Sequence, residues 1–263
     1  MATVNELKNE IATKKETGVG SAGNTIKGLL NSPAIKKRFE EVLNKKAPQY
    51  MSSIVNLVNG DTNLKKCDQM SVIASCMVAA TLDLPVDKNL GYAWIVPYGN
   101  KAQFQLGYKG YVQLALRTGQ YKAINVIEIH EGELIDWNPL TEELKIDFTQ
   151  KKSDAVIGYA GYFELINGFK KSTYWTKEQI IKHKNKFSKS DFGWKNDFDA
   201  MAKKTVLRNM LSKWGILSIE MQTAYTADQG TIKPDVIENG DIQSNTEYVE
   251  ADFESYEGTP FEE

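Results

Sequence analysis

The stretch from Asn89 to Gly119, NLGYAWIVPYGNKAQFQLGYKGYVQLALRTG, limits what this chain can fold into more than any other. Tyr92 to Tyr98 alternates, Gly99-Asn100 follows, and Lys101 to Gly107 alternates again. Both residues of Gly99-Asn100 tolerate positive φ, so the pattern predicts a β-hairpin with a two-residue loop. Tyr98 then faces Lys101, Val96 faces Gln103 and Trp94 faces Gln105. Strand side chains point to alternate sides, so one face carries Ala93, Ile95, Pro97, Ala102, Phe104 and Leu106 and reads as core. The other carries Tyr92, Trp94, Val96, Tyr98, Lys101, Gln103 and Gln105: flat rings, amides and a cation, without a carboxylate. Stacking of unpaired bases beside phosphate contacts uses these residue types. A wet sheet face with aromatics half covered by a neighbouring helix uses them too.

The hairpin runs through Gly107-Tyr108-Lys109-Gly110-Tyr111 into VQLALRTG. Val112, Ala115 and Leu116 predict the apolar face of a helix that stops at Gly119. Lys109, Gln113 and Arg117 are four apart and form one polar stripe. Gly107 and Gly110 allow backbone to approach a ligand or another strand closely.

Helices surround this block. Pro33 follows Asn31-Ser32 as a helix opening, and Ile35, Phe39 and Val42 mark an amphipathic helix. Further helices are expected over Tyr50–Val58 and Lys66–Leu82. After Gly119, strands are expected over Tyr121–His130, Leu144–Phe148, Val156–Ile166 and Phe169–Trp175, with Asn167-Gly168 as a hairpin turn. Thr176 to Gln179 reads as a capping box opening a helix to about Lys186. Ser188 to Trp194 reads as a polar loop with two embedded aromatics, and Asp197 to Trp214 as the last long helix. On its wheel Ala202, Val206, Leu207, Met210, Leu211 and Trp214 share one arc, and Lys204 and Arg208 sit together on the flank. Lys203 falls inside the arc, so its head either snorkels outward or reaches an anion in a groove. The fold class is therefore α+β: helices flanking a small antiparallel sheet crossed by a helix.

Charge is unevenly spread. Of 34 acidic and 32 basic residues, eleven acids and one lysine lie in residues 228–263, which leaves 23 and 31 before them. The body is about +8 and the tail about −10. Phe169 to Lys213 alone holds twelve Lys/Arg against four Asp/Glu, a window suited to a polyanion. Composition predicts a flexible N-terminal segment over residues 1–30, a core over 31–227 and a disordered acidic tail over 228–263. The glycine string over Gly18–Gly23 has no strand before it and reads as linker. With only Cys67, Cys76, His130 and His183, no zinc spacing can be assembled, and no cofactor is expected. No apolar run has membrane-spanning length and no signal core is present, so the chain reads as soluble and cytoplasmic.

Leu82 to Tyr121, LDLPVDKNLGYAWIVPYGNKAQFQLGYKGYVQLALRTGQY, resembles the signature block of the phage RecT recombinases, and Ala202 to Gly215, AKKTVLRNMLSKWG, is similar to a later block of that family. The resemblance covers roughly residues 30–227. It implies ATP-independent annealing of single-stranded DNA, without bond chemistry, by proteins that oligomerise as rings or filaments on DNA. It also implies partners: single strands and the annealed duplex, a host single-strand binding protein and a phage exonuclease. The residues expected at the DNA are Trp94, Tyr98, Lys101, Gln103, Gln105, Tyr108, Lys109, Tyr111, Gln113, Arg117, Trp194, Lys203, Lys204 and Arg208. A metal-dependent nuclease would instead cluster carboxylates beside the basic face, for which Asp191, Asp197 and Asp199 are the candidates. A structural oligomer with incidental basic charge is the other alternative.

Overall fold

The computed structural model describes residues 25–188, 192–228 and 230–247. The expectations for the glycine string, for Asp191 and for the acidic end of the chain lie outside the described residues. The helical elements are α1 (Ile26–Leu30), α2 (Pro33–Leu43), α3 (Ala47–Asn59), α4 (Gln69–Thr81), α5 (Tyr108–Arg117), α6 (Lys177–Phe187), α7 (Phe192–Asn196), α8 (Phe198–Trp214), α9 (Ile219–Ala227) and α10 (Val236–Asn239). The strands are β1 (Ala93–Tyr98), β2 (Lys101–Leu106), β3 (Tyr121–His130), β4 (Leu134–Asn138), β5 (Glu143–Ile146), β6 (Val156–Leu165), β7 (Lys170–Thr176), β8 (Thr231–Ile232) and β9 (Thr246–Glu247). The class is α+β, as expected. The chain divides into two compact units, where a single core had been expected.

In the first unit, described over residues 25–88, 93–105, 223–228 and 230–247, α4 is the organising element. Asp68 caps it, its carboxylate accepting from the Met70 and Ser71 amides, both at 3.2 Å. Every residue from Ser71 to Ala80 is buried, as befits a helix apolar on nearly all sides. Two serines interrupt that surface, and both serve the β1–β2 hairpin. Ser71 Oγ accepts from the Ala102 amide at 2.9 Å and Ser75 Oγ donates to the Ala102 carbonyl at 3.2 Å. The helix thus supplies the partners that a neighbouring strand would give. The hairpin tip is fixed by the same cap: the Asp68 amide donates to the Asn100 carbonyl at 2.6 Å. Gly99 there has φ +57°, the left-handed backbone expected of this turn.

The other edge of β2 pairs with β8, Gln103 opposite Thr231, giving the order β1-β2-β8-β9. This corrects the boundary expected at Ala227. Residues 230–247 form two short strands and α10, and bury Ile232, Val236, Ile237 and Ile242. Those few aliphatics are diluted by acids in the composition, yet each has a place in the unit's core.

The second unit spans residues 89–92 and 106–222 where described. Its centre is an antiparallel sheet in the order β3-β6-β7, in register at Ile127, Ala160 and Tyr174. One face meets α8: a Cβ added at Gly161 would lie 3.1 Å from Val206 Cγ1, and Tyr159 and Phe163 beside it are fully buried. The opposite face packs Ile129, Ala160 and Tyr174 beneath Leu134, Trp137, Leu144 and Ile146 of the β4–β5 ribbon. β4 was not foreseen, because Leu134–Asn138 mixes apolar and acidic residues. Gly107 and Gly110 are required by the chain itself: a Cβ at either would lie 2.1 Å from the Gly91 carbonyl oxygen or 2.2 Å from that of Tyr92. The buried face of α5 is Gly110, Tyr111, Leu114 and Ala115. Leu116, expected on that face, is 49% exposed.

Candidate nucleic-acid interface

The hairpin of the first unit divides as its alternation demands. Ala93, Ile95, Ala102 and Phe104 are buried, Trp94 is 37% exposed, and Val96, Tyr98 and Gln105 are half-buried. Rings and an amide thus stand at the surface with the exposed Lys101. Two details were not legible. Gln103 is buried at 5% exposure, since β8 lies beside it, so its amide is not part of an open face. Lys101 Nζ lies 3.6 Å from the Glu247 carboxylate, which also holds Lys233 Nζ at 3.1 Å. Hydrogen bonding to Lys233, with a smaller contribution from Lys101, holds the Glu247 carboxyl below its usual range. A carboxylate of β9 therefore lies against the lysine of the hairpin face.

In the second unit, α5 presents Lys109 and Arg117 to solvent with Gln113 half-buried between them, the stripe expected from their spacing. Tyr111 departs from expectation: it is fully buried and belongs to the core. Tyr108 is half-buried, and burial raises its hydroxyl pKa. Lys203 finds its anion inside the protein, Nζ donating to Glu128 Oε1 of β3 at 2.6 Å. The wheel had left its head either to snorkel outward or to reach an anion in a groove; here it pairs with a carboxylate of the strand that its helix faces. Lys204 is buried at 8% exposure, whereas Arg208 is half-buried. Trp194 is buried at 6% and packs on Phe198, ring centroids 5.3 Å apart. Tyr111, Trp194 and Lys204 are thus interior residues rather than exposed contacts, and Lys203 is committed to an ion pair.

Sequence reasoning missed an aromatic cluster in the basic window. Trp175 at the end of β7 meets His183 of α6 edge-on, centroids 5.6 Å apart at 78°, and His183 meets Phe187 at 4.7 Å and 46°. All three rings are half-buried. Lys186 Nζ lies 5.3 Å from the Phe187 centroid. Burial, and then the nearby Arg208 charge, push the His183 pKa below its ordinary value of 6.5. The signal was present in the four-residue spacing of His183 and Phe187 just after Trp175. A further lysine of the window, Lys171, is spent within the fold: its Nζ lies 3.3 Å from the Trp214 ring centroid and pairs with Glu142.

Of the carboxylates named for a nuclease, the two that are described, Asp197 and Asp199, have structural partners. Asp197 caps α8 through the Ala200 amide at 2.9 Å, and Asp199 accepts from the buried Tyr159 hydroxyl at 2.5 Å. Among the described residues no group of three His, Cys, Asp or Glu side chains is placed to hold a metal ion. No helix among them is long and apolar enough to cross a membrane.

A helix-borne hairpin with an aromatic and cationic face, and a second unit rich in lysine, suit a nucleic-acid-binding class of protein. The sequence profile of the RecT family matches residues 48–244, and the chain belongs to that family. Membership places it among proteins of recombination and single-strand annealing. The match runs past Ala227, in keeping with the folded segment after it. The chain is 68% identical over 232 residues to the uncharacterised protein YqaK of Bacillus subtilis strain 168, covering 88% of this chain and 82% of the relative. It is 26% identical over 217 residues to Protein RecT of Escherichia coli K12, covering 76% and 79%.

Proposed function

We propose that this protein binds single-stranded DNA and pairs complementary strands without nucleotide hydrolysis or bond chemistry. The observation that carries the reading is the hairpin face: Trp94 is 37% exposed beside Tyr98, Gln105 and Lys101, on a strand pair fixed to a buried helix. Rings stack on any base and a lysine meets phosphate, so strands can be held while base edges stay free to pair. Lys109, Gln113 and Arg117 add a second polar stripe for the backbone. The structural hydrogen bonds of Asp197 and Asp199 favour annealing over cleavage. In this reading the protein works in the cytoplasm as a homo-oligomer on DNA. A phage exonuclease supplies the strands and a host single-strand binding protein covers them.

The test mixes the pure protein with two complementary oligonucleotides, one labelled with a donor and one with an acceptor, without nucleotide. Pairing should be faster than the spontaneous reaction. Trp94→Ala should slow it and weaken binding at nearly unchanged melting temperature, since a stacked base contributes about 1–3 kcal/mol and this ring is only partly buried. Spontaneous rates with the native protein would reject annealing. A folded Trp94→Ala with native affinity would remove the hairpin from the interface.

A further inference from the structure

We propose that Trp175, His183 and Phe187 form a second base-stacking site for single-stranded DNA, built on residues other than those of the hairpin. The proposal rests on the annealing reading above and names a site within it. The capping box at Thr176, with the Gln179 amide donating to Thr176 Oγ1 at 3.2 Å and the Thr176 amide donating to Gln179 Oε1 at 2.9 Å, starts α6 directly where β7 ends. That junction fixes Trp175 against the first turns of the helix. His183 and Phe187 follow on one helical side. Rings meant only to cement β7 to α6 could be fully covered, as Tyr159 and Phe163 are; these three remain half-buried.

Their surroundings suit a polyanion. Lys182 and Lys186 are exposed and four apart, a stripe bordering His183 on its solvent side. Lys186 already lies 5.3 Å from the Phe187 centroid, where a phosphate could draw it away while a base takes the ring. The only acid of α6 is Glu178; it lies one turn before Lys182 on the same side of the helix, so it borders the N-terminal end of the stripe and not the Lys186 end beside Phe187. Burial and Arg208 keep the imidazole neutral near pH 7, which leaves its π-face available. An annealing protein handles two strands, and stacking tolerates any sequence.

The experiment uses the full-length protein and an oligodeoxythymidine carrying 5-iodouracil, which crosslinks to a stacked aromatic on irradiation. Crosslinked peptides are mapped by mass spectrometry, and binding is followed by anisotropy against salt. Crosslinks to Trp175, His183 or Phe187 are expected, and Phe187→Ala should weaken binding roughly fivefold or more, the low end for one stacked base. Because Phe187→Ala also removes packing from α6, the exposed double variant Lys182→Gln/Lys186→Gln provides an independent reading. It should lower the slope of log affinity against log salt by roughly 0.7 for each phosphate no longer neutralised. Crosslinks confined to the hairpin, with an unchanged slope in the lysine variant, would overturn the second site while leaving annealing intact. A native protein that fails to bind the oligonucleotide would overturn both.

Discussion

Removing the Ser71 hydroxyl should cost more than its size suggests, because it is the acceptor for a buried strand amide. In the native protein Ser71 is 2% exposed and Ser75 fully buried. Ser71 Oγ accepts from the Ala102 amide at 2.9 Å and donates to the Asp68 carbonyl at 2.6 Å. In Ser71→Ala the Ala102 N–H faces a methyl group with no water at hand. A buried donor left unsatisfied costs about 1–3 kcal/mol, whereas removing an ordinary intramolecular bond costs about 0.5–1.5 kcal/mol. Ser75→Ala belongs with the second figure, since a carbonyl at 3.2 Å keeps its second lone pair. Simple addition would give the double variant a loss of roughly 2–4 kcal/mol, a large part of the ~5–15 kcal/mol typical of a domain. Both hydroxyls serve the same residue, so the two effects should not simply add. Urea unfolding followed by circular dichroism measures this, with Ser52→Ala as a control: that hydroxyl donates to the Pro48 carbonyl of its own helix on the surface and should change stability by less than ~0.5 kcal/mol. If Ser71→Ala matched the control, the helix would not be what holds the hairpin in place.

Three further outcomes are expected. Truncation after Ala227 should lower the melting temperature and broaden the transition, because it strips Ile232, Val236, Ile237 and Ile242 from the first unit; a melt identical to that of the full chain would return the boundary to Ala227. His183 has a lowered pKa, so in mild acid the unfolded chain binds a proton that the folded chain refuses; stability should rise with pH up to about 6.5 and fall as the pH drops below it, and urea midpoints between pH 7.5 and 5.5 should flatten in His183→Phe. Glu247→Gln removes the carboxylate beside Lys101, so single-stranded DNA should bind more tightly at low salt; unchanged anisotropy titrations would show that this pair does not compete with phosphate.

The alternating hairpin was legible because burial of one face imposes a period of two, and Ala93, Ile95, Ala102 and Phe104 obey it. The β3 limits and the Thr176 capping box were legible for the same reason: local chemistry decides them. What failed depended on neighbours distant in sequence. Gln103 is polar and lies on the hairpin's outward side, yet β8, more than a hundred residues later in the chain, covers it. Tyr111 and Lys204 are polar-tipped residues whose burial depends on which helix face meets the sheet. Leu116 and Trp214 show the converse, apolar residues that remain half exposed at the ends of their helices. A composition average over residues 228–263 could not reveal that a few aliphatics near its start have a core to enter.

The positive charge of the basic window is less available than its count implies, and this bears on how the protein can hold DNA. Lys203 is paired with Glu128, Lys171 with Glu142 and the Trp214 ring, and Lys204 is buried. Drawing Lys203 or Lys171 out to a phosphate would leave a partly buried carboxylate unpaired, which opposes the exchange. The phosphate contacts should therefore come from exposed cations such as Lys109, Arg117, Lys182 and Lys186, each contributing modestly in high dielectric. Such contacts are readily screened by salt and do not lock a strand in place. A strand held by stacking and by exposed lysines can still shift register until it meets its complement, which a deep, ion-paired groove would prevent.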